Sequence, residues 1–186
     1  MDSCMPLDPK RCVLCIIDPQ ERLMAAIPEA ERVIENSALL VRAAKVFSIP
    51  VILTTQYRKG IGPIVPELQE LLAGIEAIDK MEFDALSNEA VSRALSALPG
   101  GCDTLILTGV EAHICVHQTA ISAMNKGWSV VICEDAVSSR NKEHKKAAVR
   151  NFVTMDMKVY PAETIVFELL KKAGTKEFKT LLPYIK

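Results

Sequence analysis

The sequence has few of the features that mark membrane-spanning or nucleic-acid-binding chains. Only nine of its 186 residues are aromatic (5 Phe, 3 Tyr and 1 Trp), which leaves little surface for stacking on bases. The formal net charge is −1, so no overall field attracts nucleic acid or an anionic membrane. The longest unbroken apolar runs have about six residues, against the ~20 that a membrane span needs. These absences favour a globular protein that binds neither nucleic acid nor membrane.

The N-terminus has no apolar stretch of the kind that begins a secretory signal. We therefore expect a cytoplasmic protein whose six cysteines are free thiols, at positions 4, 12, 15, 102, 115 and 133. Cys12 and Cys15 have the C-x-x-C spacing of a redox pair, but they lie in an apolar run that reads as a buried strand. Residues three apart on a strand point to opposite faces, which argues against a disulfide between them.

The length is that of about one domain at ~150 residues per domain, and we expect a single domain over 1–186. Short apolar runs alternate with longer amphipathic ones. The runs predict strands at 11–18, 50–55, 76–80, 104–110, 129–134 and 157–160. Helices are predicted at 30–47, 66–72, 88–98, 114–126, 142–152 and 163–172. Six alternations predict an open, doubly wound parallel α/β sheet with helices on both faces.

Three chemically active side chains follow strands of this predicted sheet. Asp18 comes after the first strand, Lys80 after the third and Cys115 after the fourth, and in such sheets ligands bind beyond the carboxyl ends of the strands. A helix start and a nearby Lys80 predict a lowered thiol pKa at Cys115, with Asp18 as proton acceptor. Taken singly, each has an ordinary structural explanation: a buried apolar thiol, a turn aspartate or a surface lysine.

The segments that carry these residues resemble those of isochorismatase-like cysteine hydrolases. They are Ile17-Asp18-Pro19-Gln20, Lys80-Met81-Glu82-Phe83 and Gly109-Val110-Glu111-Ala112-His113-Ile114-Cys115-Val116. The resemblance continues in order along nearly the whole chain, and segment 55–68 is similar to the isochorismatase domain-containing proteins. It implies a three-layer α/β fold with strand order 3-2-1-4-5-6.

The resemblance also implies roles for individual residues. Cys115 would be the nucleophile, Asp18 the general base and Lys80 its positively charged partner. The backbone amides of Glu111 and Cys115 would form an oxyanion hole, with a cis peptide bond between Val110 and Glu111. The side chains expected to contact substrate are Gln20, Gln56, Tyr57, Phe83 and Ile114.

Departures from related enzymes narrow the expected activity. Nicotinamidases of this superfamily carry an Asp-x-His metal motif where this chain has Gln56-Tyr57-Arg58, so we expect no metal and no other cofactor. A cysteine at position 115 favours acyl chemistry on a small amide, ureido or carbamoyl compound through a thioester. The alternative is a non-catalytic binding or scaffold protein on the same fold. A homo-oligomer is also expected from the resemblance.

Three further features have less decisive interpretations. His113 and His117 each lie two residues from Cys115, but residues two apart on a helix do not face each other, which argues against a Cys–His pair. The basic run from Arg140 to Arg150 predicts a solvated helix face. The apolar C-terminal segment 178–186 packs either on its own domain or on a partner.

Overall fold

The computed structural model of the protein describes residues 6–185, and its centre is one sheet of six parallel strands. The strands are β1 (Cys12–Ile17), β2 (Val51–Gln56), β3 (Ile78–Lys80), β4 (Thr104–Val110), β5 (Ser129–Ser138) and β6 (Lys158–Tyr160). Their spatial order is β3-β2-β1-β4-β5-β6, and neighbouring strands run parallel. The predicted α/β fold with strand order 3-2-1-4-5-6 is confirmed.

Helices cover both faces of the sheet. They are α1 (Glu21–Met24), α2 (Ala30–Phe47), α3 (Arg58–Ile61), α4 (Pro66–Gln69), α5 (Glu89–Ser96), α6 (His117–Asn125), α7 (Lys142–Thr154), α8 (Ala162–Leu170) and α9 (Lys176–Leu181). Helices α2, α4, α8 and α9 contribute to one apolar cluster and α5, α6 and α7 to another. Within the described residues, no helix combines the length and apolar character needed to cross a membrane.

Strand β1 shows why a parallel sheet forms from continuous apolar runs. All six of its residues are buried. Leu14 and Ile16 belong to the cluster beneath α2, whereas Val13 and Ile17 belong to the cluster on the opposite face. A strand covered on both faces needs apolar residues at every position rather than at alternate ones.

The two cysteines of the C-x-x-C sequence lie on opposite faces of this strand. Cys12 packs in the first cluster and Cys15 in the second. Burial raises the pKa of each thiol to about 12. The five described cysteines are all free, and Cys4 lies outside the described residues.

Some elements differ from their predicted form. Segment 57–65, for which no helix was predicted, contains the single turn α3. The predicted helix at 114–126 begins instead as one turn of π-helix, Ala112–Val116. Strand β5 continues to Ser138, because a register shift at Leu107–Gly109 lets it resume pairing with β4. The predicted strand ended at Glu134, before this continuation.

The C-terminal segment packs on its own chain. Leu181 of α9 is fully buried in the cluster beneath α2. The guanidinium of Arg42 on α2 lies 4.3 Å from the centre of the Tyr184 ring, a cation–π contact. The C-terminal residues that the structure describes therefore pack on their own domain, the first of the two predicted alternatives.

Gly109 allows β1 and β4 to approach closely just before the sheet ends. Its φ is +104°, in the region that favours glycine. A Cβ at this position would collide with the backbone carbonyl of Ile17, whose carbon would lie 2.7 Å away. The residues that follow these two strands, Asp18 and the π turn, are therefore held next to each other.

Candidate active site

Asp18 leaves the end of β1 with its side chain fully buried. Its φ is 50°, a left-handed conformation that aspartate adopts more readily than most residues. The Thr54 hydroxyl on β2 donates to Oδ1 at 2.7 Å, and the Lys80 ammonium donates to Oδ2 at 2.7 Å. Both carboxylate oxygens are thus held in one orientation.

Lys80 ends β3 as a buried cation. Its side chain is 0% exposed, which would be costly without partners. The Nζ group donates to Asp18 Oδ2 at 2.7 Å, to Gln56 Oε1 at 2.7 Å and to the Glu82 carbonyl at 3.2 Å. An ammonium has three N–H donors, and each has an acceptor here.

Cys115 lies in the π turn that follows β4 and is only 7% exposed. The Asp18 carboxylate and the Glu111 backbone N–H both lie near enough to its thiol to shift its pKa, the carboxylate upward and the N–H downward. The fold therefore joins Cys115, Asp18 and Lys80 in one connected group, although they are far apart in the sequence.

The pKa of the Cys115 thiol is raised to about 12. Burial is the main cause, and the negative charge of Asp18 adds to it. The charge of Lys80 acts in the opposite direction and is outweighed. The prediction of a lowered thiol pKa is therefore wrong for the site without substrate, because burial and a neighbouring carboxylate outweigh the helix start. At neutral pH the site therefore holds a neutral thiol next to the Asp18 carboxylate.

Alkylation of Cys115 should consequently be slow at neutral pH. Because the thiolate is the reactive form, we expect the rate with iodoacetamide to rise by about tenfold per pH unit above pH 7. Asp18→Asn removes the negative neighbour and should accelerate labelling at any fixed pH in this range. Peptide mass spectrometry after timed exposure measures both effects.

Cys115→Ala identifies the peptide signal that belongs to this residue. A labelling rate that is already maximal near pH 7, or a slower rate in Asp18→Asn, would contradict this account of the thiol.

Glu111, expected to supply one oxyanion-hole amide, is fixed by the turn after β5. The Val110–Glu111 peptide bond is cis. The Glu111 Oε2 atom accepts from the Arg140 backbone N–H at 2.9 Å, and Arg140 Nη1 lies 3.5 Å from Oε1. The Glu111 carbonyl accepts from the amides of Ile114 and Val116, at 3.0 and 3.3 Å. Side chain and carbonyl are both anchored, which fixes the residue beside the thiol.

Comparison with known proteins places this arrangement in a family. Residues 12–164 match the isochorismatase domain. The chain belongs to the isochorismatase family. It is 33% identical over 175 residues to isochorismatase domain-containing protein 2 of Danio rerio, which covers 94% of this chain and 87% of that protein.

Solved structures extend the comparison. A structure titled MAR1 ribonuclease from Caenorhabditis elegans is 31% identical with a TM-score of 0.89, covering 97% of this chain and 92% of that one. YcaC from Pseudomonas aeruginosa, described with hexane-2,5-diol and covalent acrylamide, is 26% identical with a TM-score of 0.88, covering 98% and 92%. The Escherichia coli YcaC product, described as an octameric hydrolase of unknown specificity, is 26% identical with a TM-score of 0.87, covering 97% and 91%.

The carboxamides of Gln20 and Gln56, both predicted to contact substrate, form hydrogen bonds within this isochorismatase-family protein. The Gln20 carboxamide accepts from the Gln56 backbone N–H at 2.6 Å and donates to the carbonyls of Gln56 and Gly62. The Gln56 side chain accepts from Lys80 and donates to the Met81 carbonyl at 2.8 Å. In this structure Gln20 joins two loops and Gln56 orients Lys80.

The other predicted contacts lie around the mouth of the site. Tyr57 and Phe83 are 45% and 52% exposed, and Met81 between them in sequence is 67% exposed. Ile114 is half-buried beside Cys115. Sequence reasoning missed Met81 as a rim residue and Thr54 as a partner of Asp18. The available signal for Thr54 was a polar side chain within a strand that is buried from Ile52 onward.

The described contacts of the two histidines near Cys115 are with α7 and the turn before it. His113 Nδ1 lies 2.9 Å from the Ser139 hydroxyl, and its ring centre lies 4.7 Å from that of His144. Burial, with the positive charge of Arg140 nearby, lowers the pKa of His113 although Glu111 opposes this. Both contacts of His113 are with α7 and the turn before it, so in the described structure His113 supports the π turn that carries Cys115.

Proposed function

We propose that this isochorismatase-family protein is a cysteine hydrolase that cleaves small amide, ureido or carbamoyl compounds through a thioester, without a metal ion. The observation that carries the proposal is that the Asp18 carboxylate, which accepts from the Lys80 ammonium at 2.7 Å, lies next to the Cys115 thiol and raises its pKa. A nucleophile, a proton acceptor and a fixed positive charge are the parts that acyl transfer needs.

In the first step Cys115 Sγ attacks the substrate carbonyl carbon as its proton passes to Asp18. Because the resting thiol is neutral, attack and proton transfer are coupled rather than sequential. The carbonyl oxygen becomes an oxyanion, which the amides of Glu111 and Cys115 would stabilise. Lys80 offsets negative charge in the buried site as the reaction proceeds.

In the second step the tetrahedral intermediate collapses. The C–N bond breaks as Asp18 returns the proton to the leaving nitrogen, so that an amine or ammonia departs and a thioester remains on Cys115. Water then attacks this carbonyl and gives a proton to Asp18. Asp18 passes that proton to the departing sulfur, which restores the thiol and releases a carboxylic or carbamic acid.

The proposal of a metal-independent reaction rests on the chemistry of the available side chains. Gln56, Tyr57 and Arg58 offer neither carboxylate nor imidazole to a cation, and the Gln56 carboxamide already binds Lys80 and Met81. No group of three or more His, Cys, Asp or Glu residues within 6–185 is placed to hold a metal ion.

The comparison with YcaC supports a small amide-bearing substrate. The Pseudomonas aeruginosa protein is described with covalent acrylamide, a small molecule that carries both an amide and a thiol-reactive alkene. The exposed rim of Tyr57, Met81 and Phe83 would pack against apolar parts of a larger substrate.

A substrate screen in the presence of a chelator tests the proposal. The purified protein is offered amides, ureido compounds and carbamoyl compounds, and release of ammonia or amine is measured. We expect turnover with at least one class, an acyl adduct on the Cys115 peptide by mass spectrometry, and loss of both in Cys115→Ser. Cys133→Ser, a matched change at another buried thiol, should retain activity.

The screen also distinguishes a hydrolase from the alternative, a non-catalytic binding or scaffold protein. Compounds that bind without turnover in the wild-type protein would favour a non-catalytic binding protein on this fold. Turnover that survives Cys115→Ser would contradict the proposed nucleophile.

For assembly and location, we propose a homo-oligomer in the cytoplasm. The Escherichia coli YcaC product is described as octameric. This supports the proposal that the present chain also self-associates. The five free thiols among the described residues are consistent with a reducing compartment.

A further inference from the structure

A groove lined mainly by cations lies apart from the catalytic group, between the first turns of α2 and helix α7. Its volume is about 450 Å³. We name it the basic groove; its cationic side chains are Arg32, Lys142, Lys145, Lys146 and Arg150. Two carboxylates, Glu29 and Glu134, also line it. None of these residues belongs to the proposed catalytic machinery.

Lys145 forms a buried positive charge in this groove. Its side chain is only 10% exposed, so the prediction of a fully solvated helix face is wrong at this residue. The contact found for its Nζ is Glu29 Oε2 at 3.5 Å, and that same oxygen accepts from Arg32 Nη2 at 2.8 Å. Lys145 therefore shares one distant carboxylate oxygen with a second cation. A buried ammonium with so weak a partner has donors left for a ligand.

The carboxylates around the groove do not neutralise its cations. Glu29 faces Lys145, Arg32 and Lys142, whose charges hold its pKa below the usual value although its burial acts in the opposite direction. Lys146 pairs with Glu143 outside the lining, at 2.8 Å. Even when Glu143 is counted with Glu29 and Glu134, five cations face three carboxylates. The groove keeps a net positive charge on a chain whose overall charge is −1.

We propose that the basic groove binds a small ligand that carries two or more phosphate groups. The cations lie on two helices, and one cation, Lys145, is buried. Together they provide charge-assisted hydrogen-bond donors from several directions to a compact polyanion. The volume suits a small molecule. Val149 is the apolar residue of the lining, and no aromatic side chain is among the lining residues. The groove therefore favours the phosphates themselves over a stacked base.

Titration calorimetry of the full-length protein with inorganic tripolyphosphate, at constant ionic strength, tests this site. The wild-type protein should bind in a 1:1 ratio, with affinity that falls as salt is raised. The double variant Lys142→Gln/Arg150→Gln should weaken binding by at least about tenfold, since each substitution removes a donor to the anion. Both side chains are exposed, so the variant should fold normally.

The double variant Lys171→Gln/Lys172→Gln is the matched control, because it removes the same charge at exposed positions away from the groove. It should bind tripolyphosphate like the wild-type protein. Equal weakening in the two double variants would show attraction to overall charge, and would overturn the proposal. So would the absence of measurable binding, or binding of single-stranded RNA without binding of tripolyphosphate, which would indicate a polymeric ligand. Hydrolase activity is not needed for any of these readouts.

Discussion

Lys80→Met is expected to lower the free energy of unfolding by ~3–5 kcal/mol, because it leaves a buried carboxylate without its counter-charge. In the wild-type protein, Lys80 and Asp18 are both fully buried and their charged atoms lie 2.7 Å apart. After the substitution, Thr54 is the remaining strong donor to the Asp18 carboxylate. The side-chain oxygen Oε1 of Gln56 loses the Lys80 ammonium as its hydrogen-bond donor. Urea unfolding at pH 7, followed by circular dichroism, measures the change.

The matched control is Lys146→Met. Lys146 and Glu143 form an ion pair of nearly the same length, 2.8 Å, but their side chains are 66% and 71% exposed. Exposed pairs contribute ~0–1 kcal/mol, so this variant should lose little stability. The double variant Asp18→Asn/Lys80→Met should be more stable than the sum of the single changes predicts, since it no longer buries an isolated charge. Equal effects of Lys80→Met and Lys146→Met would contradict the assignment of a buried, mutually dependent pair.

Asp18→Asn is expected to reduce kcat/KM by ~10³-fold on any substrate that the screen identifies, in the range typical of a lost general acid–base. The amide can still accept from Thr54, but it cannot take the thiol proton or return one to the leaving group. Cys115→Ser should reduce the rate at least as much. Residues that act as one unit have non-additive effects, so the double variant should be no slower than the slower single variant.

Glu82→Gln is the control for this cycle. This substitution makes the same carboxylate-to-amide change near Lys80. The Glu82 side chain, however, is exposed and accepts hydrogen bonds from Met81 and Asn88. It should leave kcat/KM close to the wild-type value. If the rate losses of Asp18→Asn and Cys115→Ser multiply in the double variant, the two residues act independently and the proposed proton transfer between them is wrong.

The sequence was sufficient to predict which residues meet, because parallel strands expose their carboxyl ends at one edge. Asp18, Lys80 and Cys115 stand at or after the ends of predicted strands, and the alternation of strands and helices places these ends on one edge of the sheet. The strand order that brings them close was implied by the family resemblance. Continuous apolar runs such as Val13–Ile17 made the strands recognisable. The fold and the convergence of these three positions needed no coordinates.

The sequence was insufficient wherever the outcome depended on burial or on side-chain partners. The sign of the thiol pKa shift at Cys115 is set by how deeply the turn is buried, which linear spacing does not reveal. Gln20 and Gln56 stand where a substrate contact is expected, yet their carboxamides satisfy backbone groups and Lys80. Lys145 belongs to a basic run, yet its side chain is only 10% exposed.

The close approach at Gly109 limits how this protein could acquire new substrates. A side chain at that position has no room against Ile17, so Gly109 itself is closed to remodelling by point substitution. Tyr57, Met81 and Phe83 are large and exposed, so their replacement perturbs little of the interior. Laboratory selection for altered preference should therefore accumulate changes at the entrance and spare Gly109.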